Sequence, residues 1–258
     1  MESGCFCDIE LLQGERLDEI GFGDLRLIQN YKEFCYGIDA VLLSDFAASK
    51  QKNTKKHKKI MDLGTGTGIV PLILSHKTDA EKIFGLEVQK ASYERGLRNI
   101  NLNKLQDRLF FINQDVNDLF EDELYESFDL VTTNPPYTVG KSGITNNNFA
   151  KTIARHETTG TLEDFIRCAS KLLRDKGEFF MVHRPSRLVD ICCLCREYKL
   201  EPKEMQFVSG KIGEKPNILL IHCIKNSGRE LKIFDPIYVY NEDKSYSEEI
   251  LRIYEKIF

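Results

Sequence analysis

From residue 59 onward the chain alternates short apolar runs with amphipathic stretches of helical period, and this alternation restricts the fold more than any other feature. Strand candidates are 59–63, 82–88, 109–113, 128–132, 177–183, 203–208 and 218–224, with helical patterns at 68–76, 91–101, 161–174 and 186–198 between them. A parallel strand pair needs a long crossover, usually a helix, so the pattern predicts a mostly parallel sheet covered on both faces. Residues 209–217, which join the last two strands, hold no helix and are too few for a crossover. The seventh strand is therefore predicted to run antiparallel to the sixth. The expected class is α/β, with a seven-stranded Rossmann-like sheet.

Upstream, 15–20 and 25–28 flank the turn Gly21-Phe22-Gly23-Asp24 and read as a β-hairpin, while Ile38, Val41, Leu42 and Phe46 recur at helical spacing over 37–48. Hairpin and helix form an extension, at about 10–50, of a single domain over 1–258. A chain of this length buries one full core with such an appendage. No window of 18 apolar residues supports a membrane span, and Met1-Glu2-Ser3-Gly4 lacks the basic and apolar segments of a secretory signal. Eight cysteines without framework spacing fit a reducing compartment, and a cytoplasmic protein is expected. Cys192 and Cys195 have the spacing of a metal or redox pair, but no second pair or histidine cluster accompanies them. With Cys193 they read as small buried apolar residues, and no metal is expected.

In an open α/β sheet, ligands bind beyond the carboxyl ends of the strands, where the strand order reverses. Asp62-Leu63-Gly64-Thr65-Gly66-Thr67-Gly68 ends the first strand of the alternating region and opens a helix. Glycines there permit a tight turn and close approach to a ligand. Ile69 stands where a dinucleotide fingerprint requires its third glycine, which disfavours NAD; the turn can hold S-adenosylmethionine, the expected cofactor, or merely join strand to helix. Glu87, 19 residues after Gly68 at the end of the second strand, can accept from both ribose hydroxyls. Asp115, at the end of the third, can accept from the adenine amino group or cap a helix. Asp62 can organise the glycine loop or receive the methionine ammonium. Tyr36-Gly37-Ile38-Asp39-Ala40 precedes a helix and can close over the methionine end, with Asp39 as its charged group.

Asn134-Pro135-Pro136-Tyr137 follows the fourth strand. An aromatic amine is a poor nucleophile because its lone pair is delocalised into the ring. Two acceptors that bind its two protons favour a more tetrahedral nitrogen and aim the lone pair at a methyl group. Asn134 offers a side-chain oxygen and Pro135 a carbonyl, and Asn134 is counted with the cofactor set as well. The prolines stiffen the turn. Tyr137 offers a flat face on which a base can stack. Glycine turn and acceptor turn together predict an N-methyltransferase in which alignment supplies most of the rate.

Asn-Pro-Pro-Tyr after a fourth strand resembles the N6-adenine and glutamine-N5 methyltransferases, and seven strands with the last reversed resemble the class I methyltransferase fold. More narrowly, Glu15-Arg16-Leu17-Asp18-Glu19, Gly37-Ile38-Asp39-Ala40-Val41-Leu42-Leu43, Asn134 to Tyr137, Ala154-Arg155-His156-Glu157 and Val182-His183-Arg184-Pro185 resemble the bacterial tRNA(Val) adenine-37 N6-methyltransferase family. The resemblance runs from about residue 10 to about 245. It implies methylation of the adenine immediately 3′ of the anticodon of a valine tRNA. The lysine-rich run over 50–59 departs from it in being longer and more basic.

A net charge of −4 gives no global basic footprint. The loops at the carboxyl ends of the strands are nonetheless rich in Lys141, Lys151, Arg155, His156, Arg184, Arg187, Lys211 and Lys215, with few acids. A basic mouth for tRNA is expected there, with Arg155, Arg184, Lys211 and Lys215 as contacts. The 50–59 run enters the sheet from the opposite edge and reads as a solvated loop. Two other functions share these features. A protein glutamine N5-methyltransferase uses the same acceptor turn but carries a helical amino-terminal domain where this chain predicts a hairpin. A non-catalytic RNA-binding protein has no use for intact Gly64, Gly66, Gly68, Glu87 and Asn134.

Overall fold

The computed structural model describes residues 10–32, 35–49, 58–118, 120–137 and 160–256. Strands β1 (Glu15–Glu19) and β2 (Arg26–Asn30) form the antiparallel hairpin, and α1 (Ile38–Ala48) follows. The alternating region comprises β3 (Lys59–Leu63), α2 (Ile69–Lys77), β4 (Lys82–Leu86), α3 (Lys90–Leu102), β5 (Leu109–Ile112) and β6 (Phe128–Thr133). It continues with α4 (Leu162–Leu172), β7 (Leu173–His183), α5 (Leu188–Glu197), β8 (Leu200–Ser209) and β9 (Ile218–Lys225).

The hairpin is fastened to α3 by matched spacings. Asn99 and Asn103 lie one helical turn apart, about 6 Å along the axis, close to the roughly 6.8 Å between alternate strand residues. Asn99 Oδ1 accepts from Ile28 N at 2.7 Å and Asn103 Oδ1 from Arg26 N at 2.9 Å, while each amide donates back to the carbonyl of the same residue. Glu15, its side chain 2% exposed, receives Arg95 at 3.0 Å and Arg98 at 2.8 Å from the same helix.

The main sheet has the order β5-β4-β3-β6-β7-β9-β8. All neighbours are parallel except β9, which runs antiparallel to both β7 and β8. The reversed last strand is as the short 209–217 connection requires. Alternate strand residues feed two cores: Ile60, Leu130 and Phe180 pack with the hairpin, α1 and α2, whereas Met61, Val131 and Phe179 pack with α4 and α5. Three late elements carry no readable periodicity: β10 (Lys232–Ile233), β11 (Ile237–Tyr238) and α6 (Glu248–Ile253). Both short strands add parallel to β8. Among the described residues no helix is long and apolar enough to cross a membrane.

Candidate active site

The strand order reverses at β3, with β4 on one side and β6 on the other, and the site is built across that boundary. Leu63 pairs with Thr133, so Gly64 and Asn134 leave the sheet from neighbouring strands about 4.8 Å apart. Two hydroxyls of β6 tie the edges together: Thr132 donates to Asp62 Oδ1 at 2.6 Å and Thr133 to the Leu63 carbonyl at 2.9 Å. Two segments 70 residues apart in the chain thus open into one crevice.

The glycine turn is left-handed at Gly64, Gly66 and Gly68, with φ of 70°, 58° and 95°, a conformation costly for other residues. Their surroundings differ. A Cβ on Gly68 would stand 2.6 Å from the Phe111 ring, and Cβ atoms on Gly85 and Gly96 would meet the same ring, so these three glycines seat a core phenylalanine. Gly64 lies against Phe165. Only Gly66 of the turn faces open space, where a ligand can reach the backbone.

Glu87 follows the last residue of β4 and is 5% exposed. Its two oxygens accept from Gly66 N and Gln89 N, each at 2.8 Å, which fixes the carboxylate against the glycine turn. Asp115 lies three residues beyond the end of β5 rather than at it, and its Oδ1 accepts from Asn117 N at 2.8 Å in a turn. Asn113, which sequence reasoning passed over, ties that loop to the Glu87 carbonyl at 2.7 Å. Asp62 is buried, and burial pushes its pKa up to about 7 against the lowering pull of neighbouring threonine hydroxyls. The donor and acceptor set suits an adenosine whose ribose lies on Glu87, together with a cationic amino-acid tail.

On the other side, Pro135 and Pro136 carry the chain from Asn134 to Tyr137. The Tyr137 hydroxyl lies 2.9 Å from Asp39 Oδ2 and 3.0 Å from Asn134 Oδ1. The structure thus brings Asp39, in the first turn of α1, against the acceptor turn. Burial foremost, and the Asp39 charge after it, hold the Tyr137 pKa far above the ordinary phenol range. The ring expected to be open instead carries the Arg184 guanidinium 4.7 Å from its centroid, with His183 edge-on at 5.0 Å. His183 ends β7, next to β6, and is 3% exposed. Burial, then the Arg187 charge, push its pKa down to about 4, and its Nδ1 accepts from Arg184 N at 2.8 Å. Neither His183 nor the Asp39–Tyr137 pairing was readable from spacing, although both lie in segments that carry the family resemblance.

Arg184 also reaches outward, donating to the Asn217 carbonyl at 2.9 Å. This links the acceptor turn to the connection holding Lys211, half-buried, and Lys215, exposed. Arg155, Lys141, Lys151, His156 and residues 50–57 of the lysine-rich run lie outside the described residues. Among the described residues no cluster of histidine, cysteine and acidic side chains could hold a metal. Cys195 is buried, Cys192 half-buried and Cys193 exposed, so the last is a surface thiol rather than a core residue.

Residues 39–189 match the methyltransferase small domain family. A relative in Flavobacterium johnsoniae, named tRNA1(Val) (adenine(37)-N6)-methyltransferase, is 25% identical over 86% of this chain and 91% of its own. Among solved structures, a predicted O-methyltransferase from Agrobacterium tumefaciens superposes with a TM-score of 0.67 at 19% identity, covering 84% of this chain and 95% of that one. M. jannaschii TYW2 in complex with AdoMet gives 0.55 at 13% identity, with 82% and 85% covered. These likenesses show the class I methyltransferase fold.

Proposed function

The chain belongs to the methyltransferase small domain family, and we propose that it transfers the methyl group of S-adenosylmethionine to N6 of an adenine in tRNA. The observation that carries this reading is the Leu63–Thr133 register, which sets the glycine turn and Asn134-Pro135-Pro136-Tyr137 side by side at the strand-order reversal. The name of the Flavobacterium johnsoniae relative favours the adenine next to the anticodon of a valine tRNA.

When bound, S-adenosylmethionine supplies a methyl group on a positively charged sulfur. Glu87 holds the ribose hydroxyls, Asp115 the adenine amino group and Asp62 the ammonium, while the space at Gly66 admits the ligand to the backbone. Asn134 and the Pro135 carbonyl accept the two protons of the reacting amine. Held by these two acceptors, the amine would present its lone pair to that methyl group, and the surplus proton left on the methylated nitrogen would pass to water. No described side chain at the turn acts as a base: Tyr137 keeps its proton, and His183 Nδ1 is occupied by Arg184 N.

Asp39 positions this turn. A phenol has one proton, and the charged carboxylate is its better acceptor. The Asn134 carboxamide, whose oxygen and nitrogen are interchangeable by a flip, then meets the phenol oxygen through its NH2 group and turns its oxygen to the substrate amine. Arg184 gives up the Tyr137 ring to the incoming adenine and turns to an RNA phosphate.

The test is mass spectrometry of nucleosides after incubation of the purified protein with unmodified valine tRNA. N6-methyladenosine should appear, and should vanish when the adenine next to the anticodon is replaced by guanine. Preferential labelling of a protein glutamine or of duplex DNA would overturn the reading.

A further inference from the structure

A groove of about 710 Å³ is lined by Arg16 and its neighbours in the hairpin, by residues 36–38, and by Tyr240, Tyr246 and Tyr254 of the C-terminal segment. Its rings form a ladder. Tyr240 and Tyr246 stack at 5.3 Å with 14° between planes, and Tyr246 and Tyr254 at 6.2 Å with 23°. Tyr254 is anchored against Phe22 at 5.9 Å, but Tyr240 and Tyr246 remain 39% and 41% exposed. Core packing does not account for two stacked rings left in water.

Two connections tie the groove to the acceptor turn. Gly37 and Ile38, which line it, immediately precede Asp39, whose carboxylate holds Tyr137. From the C-terminal segment, Tyr240 N donates to the Gly210 carbonyl at 2.9 Å. Gly210 opens the connection that carries Lys211 and Lys215 and ends at Asn217, where Arg184 reaches it from the Tyr137 ring. One continuous segment, 210–217, therefore joins the groove to the acceptor turn and carries both lysines.

We propose that this groove receives an unpaired base of the tRNA neighbouring the target adenine; the inference rests on the tRNA reading above. Aromatic faces bind single-stranded bases by stacking, with little regard to their identity. Arg16, held by Asp18 at 3.0 Å, and the exposed Glu19 offer a donor and an acceptor to base edges. The two acids make the groove unfavourable for a phosphate, which Lys211 and Lys215 accommodate instead. A flipped adenine leaves its neighbours unstacked, and a second aromatic platform replaces the stacking they lose.

The experiment compares Tyr240→Ala, Tyr246→Ala, Tyr240→Leu and Tyr240→Phe with the unmodified protein, using unmodified valine tRNA and, separately, S-adenosylmethionine. The alanine and leucine variants should bind tRNA roughly 5- to 100-fold more weakly. Their KM for tRNA should rise while kcat at saturating tRNA and cofactor affinity stay as they were. The phenylalanine variant, which keeps the face, should match the unmodified protein. Tyr240→Leu fills the same apolar volume, so a purely structural role predicts no loss with it. Unaltered tRNA affinity in folded alanine and leucine variants, or equal loss with phenylalanine, would overturn the groove while leaving methylation of tRNA intact. Failure of the unmodified protein to bind or methylate tRNA would overturn both.

Discussion

The Asp39 carboxylate lies 2.9 Å from the Tyr137 hydroxyl across 98 residues of sequence, so the first turn of α1 is braced against the acceptor turn. Tyr137 in turn lies 3.0 Å from Asn134, and the three groups form a chain with only one phenolic proton to share. Removing either the Asp39 carboxylate or the Tyr137 hydroxyl leaves the Asn134 amide free to reorient.

Asp39→Ala and Tyr137→Phe are accordingly expected to lower kcat by similar factors, roughly 10- to 100-fold, the value of a hydrogen bond to a charged group. The double variant should be little worse than either alone, because both break the same chain. Asp39→Asn, which keeps an acceptor, should recover part of the rate. S-adenosylmethionine affinity, measured by calorimetry, should hold. A loss of cofactor affinity with kcat unchanged would move Asp39 to the methionine end of the site.

Asn134→Ala should separate binding from chemistry. Its oxygen acts on the reacting amine as charge develops, so kcat should drop ~10²-fold or more while cofactor affinity barely moves. Near-normal turnover would place the reacting nitrogen elsewhere.

Strand alternation was legible because β3, β6, β9 and the second half of β7 bury both faces and so read as apolar runs between helical patterns. The glycine and proline turns were legible because few residue types tolerate those backbones. What stayed hidden depended on contacts between distant segments. Gly68 reads as a ligand glycine yet seats Phe111, a core role that only the packed structure distinguishes from that of Gly66. The Asn99 and Asn103 clamp on β2 follows no local pattern, and the two-residue strands β10 and β11 are too short to show a period. Asp115 overshoots its strand by three residues because β5 stops at Ile112, where Asn113 turns toward the Glu87 carbonyl.

Glu87 has two tasks, and substitutions can divide them. Its oxygens hold Gly66 N and Gln89 N, so Glu87→Ala strands two backbone donors as well as the ribose and should cost ~1–3 kcal/mol in stability. Glu87→Gln keeps one acceptor oxygen and should fold better, yet it loses the charged acceptor and weakens S-adenosylmethionine by ~1.5–3 kcal/mol. Thermal denaturation beside calorimetry resolves the two effects. Unchanged cofactor affinity in a folded glutamine variant would remove the ribose assignment.

Neutralising Lys211 and Lys215 should weaken tRNA binding and flatten its dependence on salt, by ~0.7–0.9 in log–log slope for each phosphate that no longer meets a cation. A salt series of tRNA dissociation constants measures this. An unchanged slope would take the 210–217 connection out of the RNA path.

Asp62 should impose a pH dependence of definite sign. Burial raises its pKa to about 7 in the folded chain, whereas an unfolded aspartate titrates near 4. Between those values the unfolded chain has released the proton and the folded chain still holds it. The stability that Asp62 contributes is therefore full below about pH 4, declines as pH rises, and is lost once pH passes about 7. Asp62→Asn should flatten that slope in denaturant midpoints taken across the window. A bound methionine ammonium works the other way, since a cation beside Asp62 favours the carboxylate. S-adenosylmethionine affinity should thus rise with pH up to about 7 and then level, and binding below that pH should release a proton, seen as a buffer-dependent heat. A flat affinity profile with the stability slope intact would leave Asp62 as an organiser of the glycine loop, with the ammonium held elsewhere.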